Sequence, residues 1–210
     1  QGPEHSSGRV ERWLQLCSEH NMQIIMPSEA SQMFHLLQRQ VLGSYRKPLV
    51  IFMSKRLLRF KGAMSPLENF TEGSRFRPVI GDTAERGNNE SVKRVILCAG
   101  QVYYDLEAGR AERKLENDVA IVRVEMLHPL PHNRIKDVID RYPNAEFRWV
   151  QDEPANQGAW PFYNEHLRTL IPDMPEMVRV SRRAQSTTAT GVAKVHQQEE
   201  KQLLDEAFAD

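Results

Sequence analysis

The sequence predicts an α/β protein with a doubly wound parallel sheet. Apolar runs of strand length, such as residues 92–99 and 118–124, alternate with segments whose apolar residues recur at helical spacing. The segments between the runs are long enough for right-handed crossover helices, which favours parallel pairing. The composition, 40% hydrophobic and 27% charged, is typical of a globular domain that can bury such a sheet.

The first part of the chain reads as helix, strand, helix, strand. Residues 9–17 have helical spacing, and residues 22–26 form a short apolar run that ends at a proline. Ser28 is predicted to cap a helix that continues to Gly43, and residues 48–53 follow as a second buried strand.

Residues 60–91 mix glycine, proline, asparagine and charge with little periodicity, and the run from Gly87 to Asn89 is the clearest loop signal. We therefore expect a domain boundary here. The strands around Ile51 and Val95 should then lie in separate sheets with separate cores.

The second part alternates more regularly. We predict helices over residues 102–115, 158–170 and 193–208, and a further helix that Pro131 opens. The predicted strands are residues 92–99, 118–124, 146–151 and 177–181.

The 28 basic residues balance the 28 acidic residues, so charge recommends neither a nucleic-acid partner nor a membrane surface. No apolar run is long enough to cross a bilayer. Cys17 and Cys98 lie in apolar stretches and are expected to be buried thiols in a reducing compartment. The polar start at Gln1, without an initiator or targeting segment, suggests a piece of a longer protein.

Several stretches in order match one family. They include Gly-Pro-Glu-His-Ser-Ser at residues 2–7, Arg-Lys-Pro-Leu-Val at 46–50, Val-Tyr-Tyr-Asp-Leu at 102–106, Trp-Val-Gln-Asp-Glu-Pro at 149–154 and Asn-Gln-Gly-Ala-Trp at 156–160. Over essentially its whole length the chain resembles the C-terminal portion of thiamine-diphosphate-dependent 2-oxoglutarate dehydrogenase first components. The amino-acid sequence around residues 142–145 and 157–161 is most similar to the actinobacterial multifunctional form.

The resemblance implies a division of the chain. Residues 1–59 would end a transketolase-type pyrimidine-binding domain, residues 60–91 would be a linker, and residues 92–210 would form a transketolase-type C-terminal domain. Thiamine diphosphate and Mg²⁺ would be bound mainly upstream. The relatives' Gly-Asp-Gly metal motif is absent here, because Gly81-Asp82 is followed by Thr83.

His5 is the candidate catalytic and substrate-binding residue. It follows a Gly-Pro turn, and a histidine titrates near neutral pH, as handling protons during a decarboxylation requires. From the residues alone, a loop histidine that caps a helix by chance is the favoured interpretation. The resemblance implies the functional reading, with Ser6 as a second substrate-binding candidate. Ser6 and Ser7 also suit helix caps.

Arg39 is the candidate for an allosteric acyl-CoA site. A permanently charged guanidinium suits a CoA phosphate, and the resemblance implies such an effector near the junction of the two domains. The alternative without a ligand is a solvated helix arginine. His35, one turn earlier on an apolar face, is predicted to be a core histidine, and the other histidines to be surface or packing residues.

The exit of the strand at residues 146–151 carries Asp152 and Glu153, which suit either acid–base chemistry or a loop at a subunit contact. We expect the segment from Gln157 to Phe162 to be buried against a second copy of the chain in a homodimer. Arg182 and its neighbour Arg183 suit either an anion or acidic partners.

Two functions follow. The enzyme hypothesis is oxidative decarboxylation of a 2-oxo acid, 2-oxoglutarate, and transfer of the succinyl group to the lipoyl domain of an acyltransferase component. The alternative is a non-catalytic dimerisation and regulatory module, which is how the fragment alone would act. A generic nucleotide-binding protein is excluded, because no glycine-rich phosphate loop follows any strand. The expected location is the cytoplasm, or the mitochondrial matrix in a eukaryote.

Overall fold

A computed structural model describes residues 6–86 and 88–209. Its helices and strands follow the predicted alternation, with several elements added. The elements before residue 91 are α1 (Val10–Gln15), β1 (Gln23–Ile25), α2 (Ala30–Leu42), β2 (Leu49–Ile51), two short 3₁₀ helices (Lys61–Ala63 and Leu67–Phe70) and β3 (Val79–Ile80). The elements after it are β4 (Arg94–Cys98), α3 (Val102–Arg113), β5 (Val119–Val124), β6 (Met126–His128), α4 (His132–Arg141), β7 (Glu146–Pro154), α5 (Trp160–Leu170), β8 (Met177–Arg182) and α6 (Ala193–Phe208).

The main sheet has five strands in the order β3-β5-β4-β7-β8. Strand β4 pairs in parallel with β5 on one side and β7 on the other, and β8 continues the parallel pairing beyond β7. Only β3 is antiparallel, and it lies at the edge beside β5. The predicted α/β class with a parallel sheet is confirmed.

Helices cover both faces of this sheet. On one face Ile96, Cys98 and Ile121 pack with residues of α3 and α6, such as Leu106 and Phe208. On the other face the alternate strand residues, among them Val95, Leu97 and Val122, pack with α4 and α5. Because successive side chains of a strand point to opposite faces, the near-continuous apolar runs supply two cores. The doubly wound architecture follows.

The small sheet has the order β2-β1-β6. Ile25 is opposite Ile51 in the parallel pair, whereas β6 runs antiparallel to β1. The strands around Ile51 and Val95 therefore lie in separate sheets, as predicted. The expectation of separate cores is wrong, because Val10 and Leu14 of α1 belong to the same buried cluster as one face of the main sheet. The first part has only two short strands with α1 and α2, and it buries its apolar side chains against later residues, such as Phe76 and Met126.

Residues 60–91 pack closely against the second part of the chain. Asp82 accepts hydrogen bonds from Arg86 and Arg110, and all three side chains are buried. Arg86 and Arg110 also donate to the carbonyl of Val119 at the start of β5. The domain boundaries at residues 59 and 92 remain a prediction.

One predicted cap is wrong. The residue before α2 is Glu29, whose side chain forms no capping hydrogen bond, and the N–H of Ser31 in the first turn donates to Oγ of Ser65 at 3.0 Å. The hydroxyl of Ser28 instead donates to Glu125, at an Oγ–Oε1 distance of 2.5 Å. Ser28 thus donates to a carboxylate distant in sequence, whereas a helix cap would accept from the N–H groups of the first turn. In the part of the chain that the structure describes, no helix is both long and apolar enough to span a membrane.

Candidate functional site

The predicted substrate-binding segment enters the fold beside α1. His5 lies outside the described residues, and Ser6 is half-buried. Gly8 lies so close to Phe52 that a Cβ on Gly8 would be 3.0 Å from the ring. Helix α1 begins at Val10 after Arg9, and the side chain of Arg9 forms no capping hydrogen bond. The capping role of Ser6 and Ser7 stays a prediction.

The exits of strands from both sheets meet at one edge. Ser54, just after β2, donates through Oγ to Oε1 of Gln101 at 2.5 Å, and Nε2 of Gln101 donates to Oδ2 of Asp152 at 3.2 Å. Arg56 forms a bidentate pair with Asp105 of α3, with N–O distances of 2.8 and 3.0 Å. These bonds hold the exits of β2, β4 and β7 together, and carboxyl ends of parallel strands commonly line ligand sites.

The two carboxyl groups at the exit of β7 differ from ordinary surface acids. Burial raises the pKa of Asp152, while its bond from Gln101 opposes the shift. Burial and the charge of Asp152 together raise the pKa of Glu153 to about 7. A further carboxylate, Glu11 of α1, accepts from the backbone N–H of Gly158 at 3.0 Å. The carboxyl group of Glu153 at this edge can therefore take up or release a proton near neutral pH.

Arg182 occupies this edge as a structural cation. Its Nη1 pairs with Oε2 of Glu199 at 2.9 Å, and its Nε donates to the carbonyl of Asp152 at 3.1 Å. The sequence suited either a bound anion or an acidic partner at Arg182, and the structure supports the acidic partner. Arg183 is exposed.

The segment from Gln157 to Phe162 is divided between interior and surface. Gln157, Gly158 and Ala159 are buried within the chain itself, so they are not available to a second copy. Pro161 is exposed, and Trp160 and Phe162 are half-buried. Within this segment, these three residues are the ones that remain available to a second copy.

Arg39 lies on α2, half-buried, with its guanidinium carbon 5.6 Å from the centre of the Phe76 ring. Its Nη1 is buried and has no hydrogen-bond partner among the described residues. His35, one turn earlier, is buried and bonds through Nε2 to the carbonyl of Asn69 at 2.8 Å. The prediction of a core histidine is confirmed. Arg39 is half-buried, so it is not the solvated helix arginine that the sequence also allowed.

The described residues do not form a metal site. No group of three histidine, cysteine, aspartate or glutamate side chains in residues 6–86 and 88–209 could hold a metal ion. Asp82, in the Gly-Asp-Thr sequence, is held between Arg86 and Arg110. Two guanidinium groups occupy the oxygens that a cation would need.

Comparison with known protein families assigns the whole chain. The model of the 2-oxoglutarate dehydrogenase C-terminal family matches residues 64–208, and the transketolase pyrimidine-binding domain model matches residues 1–61. The chain belongs to the 2-oxoglutarate dehydrogenase C-terminal family. The predicted resemblance and the transketolase-type fold are thereby confirmed.

Several longer proteins are similar to this chain over essentially its whole length. The "2-oxoglutarate dehydrogenase E1/E2 component" of Corynebacterium glutamicum is 58% identical over 99% of this chain and 17% of its own length. The "2-oxoglutarate dehydrogenase E1 component" of Cupriavidus necator is 48% identical over 100% of this chain and 22% of its own length. The "multifunctional 2-oxoglutarate metabolism enzyme" of Mycobacterium sp. (strain KMS) is 46% identical over 100% of this chain and 17% of its own length.

A solved structure supports the fold. A "split gene transketolase, inactive beta4 tetramer" matches with a TM-score of 0.58 and 14% identity, over 89% of this chain and 57% of the other. The chain thus spans about a fifth of the length of the curated relatives, 17% to 22% of each.

The sequence analysis did not predict a role for three residues of this family member that form buried or half-buried hydrogen bonds: Ser54, Gln101 and Glu125. No local pattern distinguishes Ser54 or Gln101 from ordinary loop residues. Glu125 carried a signal, because it interrupts the apolar run that continues into Met126 and Leu127. A charge inside a buried strand pattern needs a partner.

Proposed function

We propose that the chain is the C-terminal part of a 2-oxoglutarate dehydrogenase first component. In the complete protein the reaction would be oxidative decarboxylation of 2-oxoglutarate, with transfer of the succinyl group to a lipoyl group. The observation that carries the proposal is the match of two consecutive family models over residues 1–61 and 64–208. The names of the relatives favour this enzyme hypothesis over a purely regulatory module.

The cofactors of this reaction would be thiamine diphosphate and Mg²⁺. Thiamine diphosphate supplies the carbanion chemistry when bound, and the protein supplies orientation and electrostatics. The described residues do not fit the metal and diphosphate part of the cofactor, because Asp82 is held by two arginines and no metal-binding cluster is present among them. We therefore expect the isolated chain to be inactive.

The chain's own contribution to the reaction would be His5, with Ser6 as a second contact to substrate. Several features of the described residues support this location. Ser6 is half-buried, Gly8 lies against Phe52 just after β2, and Glu11 bonds to the loop that follows β7. Glu153, whose pKa is raised to about 7, lies near enough to Glu11 for their charges to interact.

The proposed partners are a second copy of the chain, in a homodimer, and an acyltransferase component that carries lipoyl domains. The names "E1/E2 component" and "multifunctional" of two relatives support a link to acyltransferase activity. The proposed location is the cytoplasm, or the mitochondrial matrix in a eukaryote.

Arg39 would bind a phosphate of an acyl-CoA effector. Its unpartnered Nη1 and its half-buried position support this role, because an unsatisfied guanidinium N–H gains a charge-assisted hydrogen bond when an anion arrives. Phe76 lies beside the guanidinium and restricts its orientation.

The test of the enzyme hypothesis is His5→Ala in the complete protein. Loss of one positioned proton-handling group typically lowers a rate by roughly a hundredfold or more. The sequence predicts that His5 lies in a loop, and loss of an exposed side chain usually changes stability by less than about 0.5 kcal/mol. Single-turnover decarboxylation with an artificial electron acceptor, beside a melting curve, measures both.

The matched control is His132→Ala, which removes a partly exposed histidine at the start of α4. The control should retain both rate and melting temperature. Normal turnover in His5→Ala would exclude the proposed role, and a large fall in its melting temperature would instead assign His5 to the fold.

A further inference from the structure

Helix α1 is too short to hold its own position. It has six residues, Val10–Gln15, and the residue before it, Arg9, has a left-handed φ of 52° and a side chain that forms no capping hydrogen bond. An isolated helix of this length is unstable in water, because too few hydrogen bonds offset the cost of fixing the backbone. The position of α1 therefore depends on its contacts with the rest of the chain.

The first contacts of α1 are apolar. Val10 is 3% exposed and Leu14 is fully buried, and both belong to the cluster that contains Tyr163 and Leu167 of α5. Apolar burial stabilises the packing of α1 on α5, but it is non-directional. It therefore constrains the placement of the residues before the helix less closely than a hydrogen bond does.

Glu11 supplies a directional contact. Its side chain is 20% exposed, and its Oε2 accepts a hydrogen bond from the backbone N–H of Gly158 at 3.0 Å. The other oxygen, Oε1, lies 3.8 Å from Nη1 of Arg9. A hydrogen bond from an N–H group to a carboxylate is roughly twice as strong as one between neutral groups. Glu11 thus joins α1 to the loop between β7 and α5, which follows 147 residues later.

The loop that donates this N–H is itself held by buried hydrogen bonds. Gly158 has a φ of +76° and packs against the side-chain amide of Gln151. Nε2 of that amide donates to the carbonyl of Gln157 at 2.7 Å and to the carbonyl of Pro154 at 3.2 Å. The N–H of Gly158 is therefore presented to Glu11 from a fixed backbone.

The residues before α1 connect this anchor to the predicted substrate-binding segment. Gly8 lies so close to Phe52, just after β2, that a Cβ on Gly8 would be 3.0 Å from the ring, and Ser6 is half-buried. His5 precedes Ser6 directly in the sequence, and consecutive Cα atoms are only about 3.8 Å apart. A displacement of α1 would therefore move the segment that carries His5.

We propose that Glu11 is a positioning residue, which holds α1, and with it the segment at residues 5–7, against the exit of β7 by accepting the hydrogen bond from Gly158. This inference rests on the proposed function, in which His5 acts on the 2-oxo acid. In this role Glu11 does not touch the substrate and acts through His5. Misplacement of a catalytic group by about 1 Å can lower a rate by about a hundredfold, so a small shift of α1 is sufficient.

Hydrogen exchange measured by mass spectrometry tests the anchor without reference to activity. In the complete protein, Glu11→Ala removes the acceptor, and exchange in peptides covering residues 6–16 and 155–162 should rise at least about tenfold. Glu11→Gln keeps an oxygen acceptor and should show a smaller rise. Gln15→Ala, at an exposed position of the same helix, is the matched control and should exchange like the wild type.

Unchanged exchange in Glu11→Ala refutes the anchor. If Glu11→Ala does not fold, Glu11→Asp takes its place with the same expectation, because its side chain is one methylene too short to reach the N–H of Gly158.

Single-turnover decarboxylation by the complete protein tests the positioning role. Glu11→Ala should lower the rate about tenfold, whereas Glu11→Gln and Gln15→Ala should keep most of it. The double variant of His5→Ala and Glu11→Ala should be no slower than His5→Ala alone, because a positioning residue acts only through the group that it positions. A purely structural role of Glu11 would instead lower the rate of the double variant further.

The outcomes separate the positioning role from the proposed function. Normal turnover in Glu11→Ala, or a further loss in the double variant, refutes the positioning role and leaves the proposed role of His5 intact. Normal turnover in His5→Ala refutes both, and the exchange experiment still decides whether Glu11 anchors α1.

Discussion

His128 shows how burial alone changes the chemistry of a single side chain. The ring lies in β6, and neither of its nitrogens has a hydrogen-bond partner among the described residues. Burial, reinforced by the positive charges of His20, His166 and Lys47, lowers the pKa of His128 to about 4. The sequence predicted a packing residue, and the contact of the ring with Phe162, 6.0 Å between centroids, is consistent with packing.

Acidification should therefore destabilise the fold through His128. A histidine whose pKa is lower in the folded state contributes stability that is present above pH 6.5 and lost as the pH falls through about 4. His128→Phe should reduce the loss of unfolding free energy between pH 7 and pH 4.5, because phenylalanine cannot take up the proton. Urea unfolding at a series of pH values measures this.

The comparison isolates the histidine, because Glu125 and Glu153 titrate with the opposite sign in both proteins. His132→Gln, at the partly exposed start of α4, is the control. Identical pH profiles for His128→Phe and wild type would contradict the assignment.

At the scale of elements, the loop between β7 and α5 is organised by one buried amide. Gln151 accepts from Nε1 of Trp149 at 3.0 Å and from the N–H of Trp160 at 3.1 Å, and it donates to the carbonyl of Gln157 at 2.7 Å. Gly158 packs against this amide with a φ of +76°. The turn that starts α5 thus depends on a glycine.

Gly158→Ala should destabilise the protein by ~3 kcal/mol, as the sum of left-handed backbone strain and of disrupted buried hydrogen bonds. The added Cβ would lie 2.6 Å from Nε2 of Gln151, so the amide must move. Gly73→Ala is the matched control, because Gly73 has a φ of +88° and nothing within 4 Å of the new Cβ. The control should lose only ~1 kcal/mol. Equal losses in denaturant unfolding would show that Gln151 is not the constraint.

At the scale of the whole molecule, α1 and α5 connect the two sheets. Val10 and Leu14 of α1 share a buried cluster with Tyr163 and Leu167 of α5 and with the main sheet. Helix α5 begins with Trp160, Pro161 and Phe162, and these three residues remain at least partly exposed. We expect these three residues to contact a second copy in the complete protein.

Pro161→Glu tests this dimer surface. A glutamate suits the first turn of α5, so folding should be unaffected, whereas a charge at the centre of an apolar contact should weaken the dimer at least tenfold. Sedimentation velocity of the complete protein at micromolar concentration measures the change. Lys194→Glu, in the first turn of α6, is the control and should remain dimeric. A monomeric wild type would contradict the dimer, and an unaffected Pro161→Glu dimer would move the interface elsewhere.

Much of the architecture could be predicted because the decisive signals are local. Strand-length apolar runs and helical spacing specify which residues face a core, and α6 was predicted with the bounds that the structure has, Ala193–Phe208. The same local pattern placed His35 in a core. Two strands were missed. Strand β3 has only two residues and shows no period, and β6 follows β5 after a single residue, Glu125.

The sequence by itself determined the α/β class, the alternation of elements and the family. Only the tertiary structure decided that the two sheets share a core. It also decided that Ser28 donates a hydrogen bond to Glu125 and does not cap α2, and that Ser54 and Gln101 link the strand exits. The physical reason is separation along the chain. Ser28 and Glu125 are 97 residues apart, and their hydrogen bonds exist only because folding brings the two sheets together and excludes water between them.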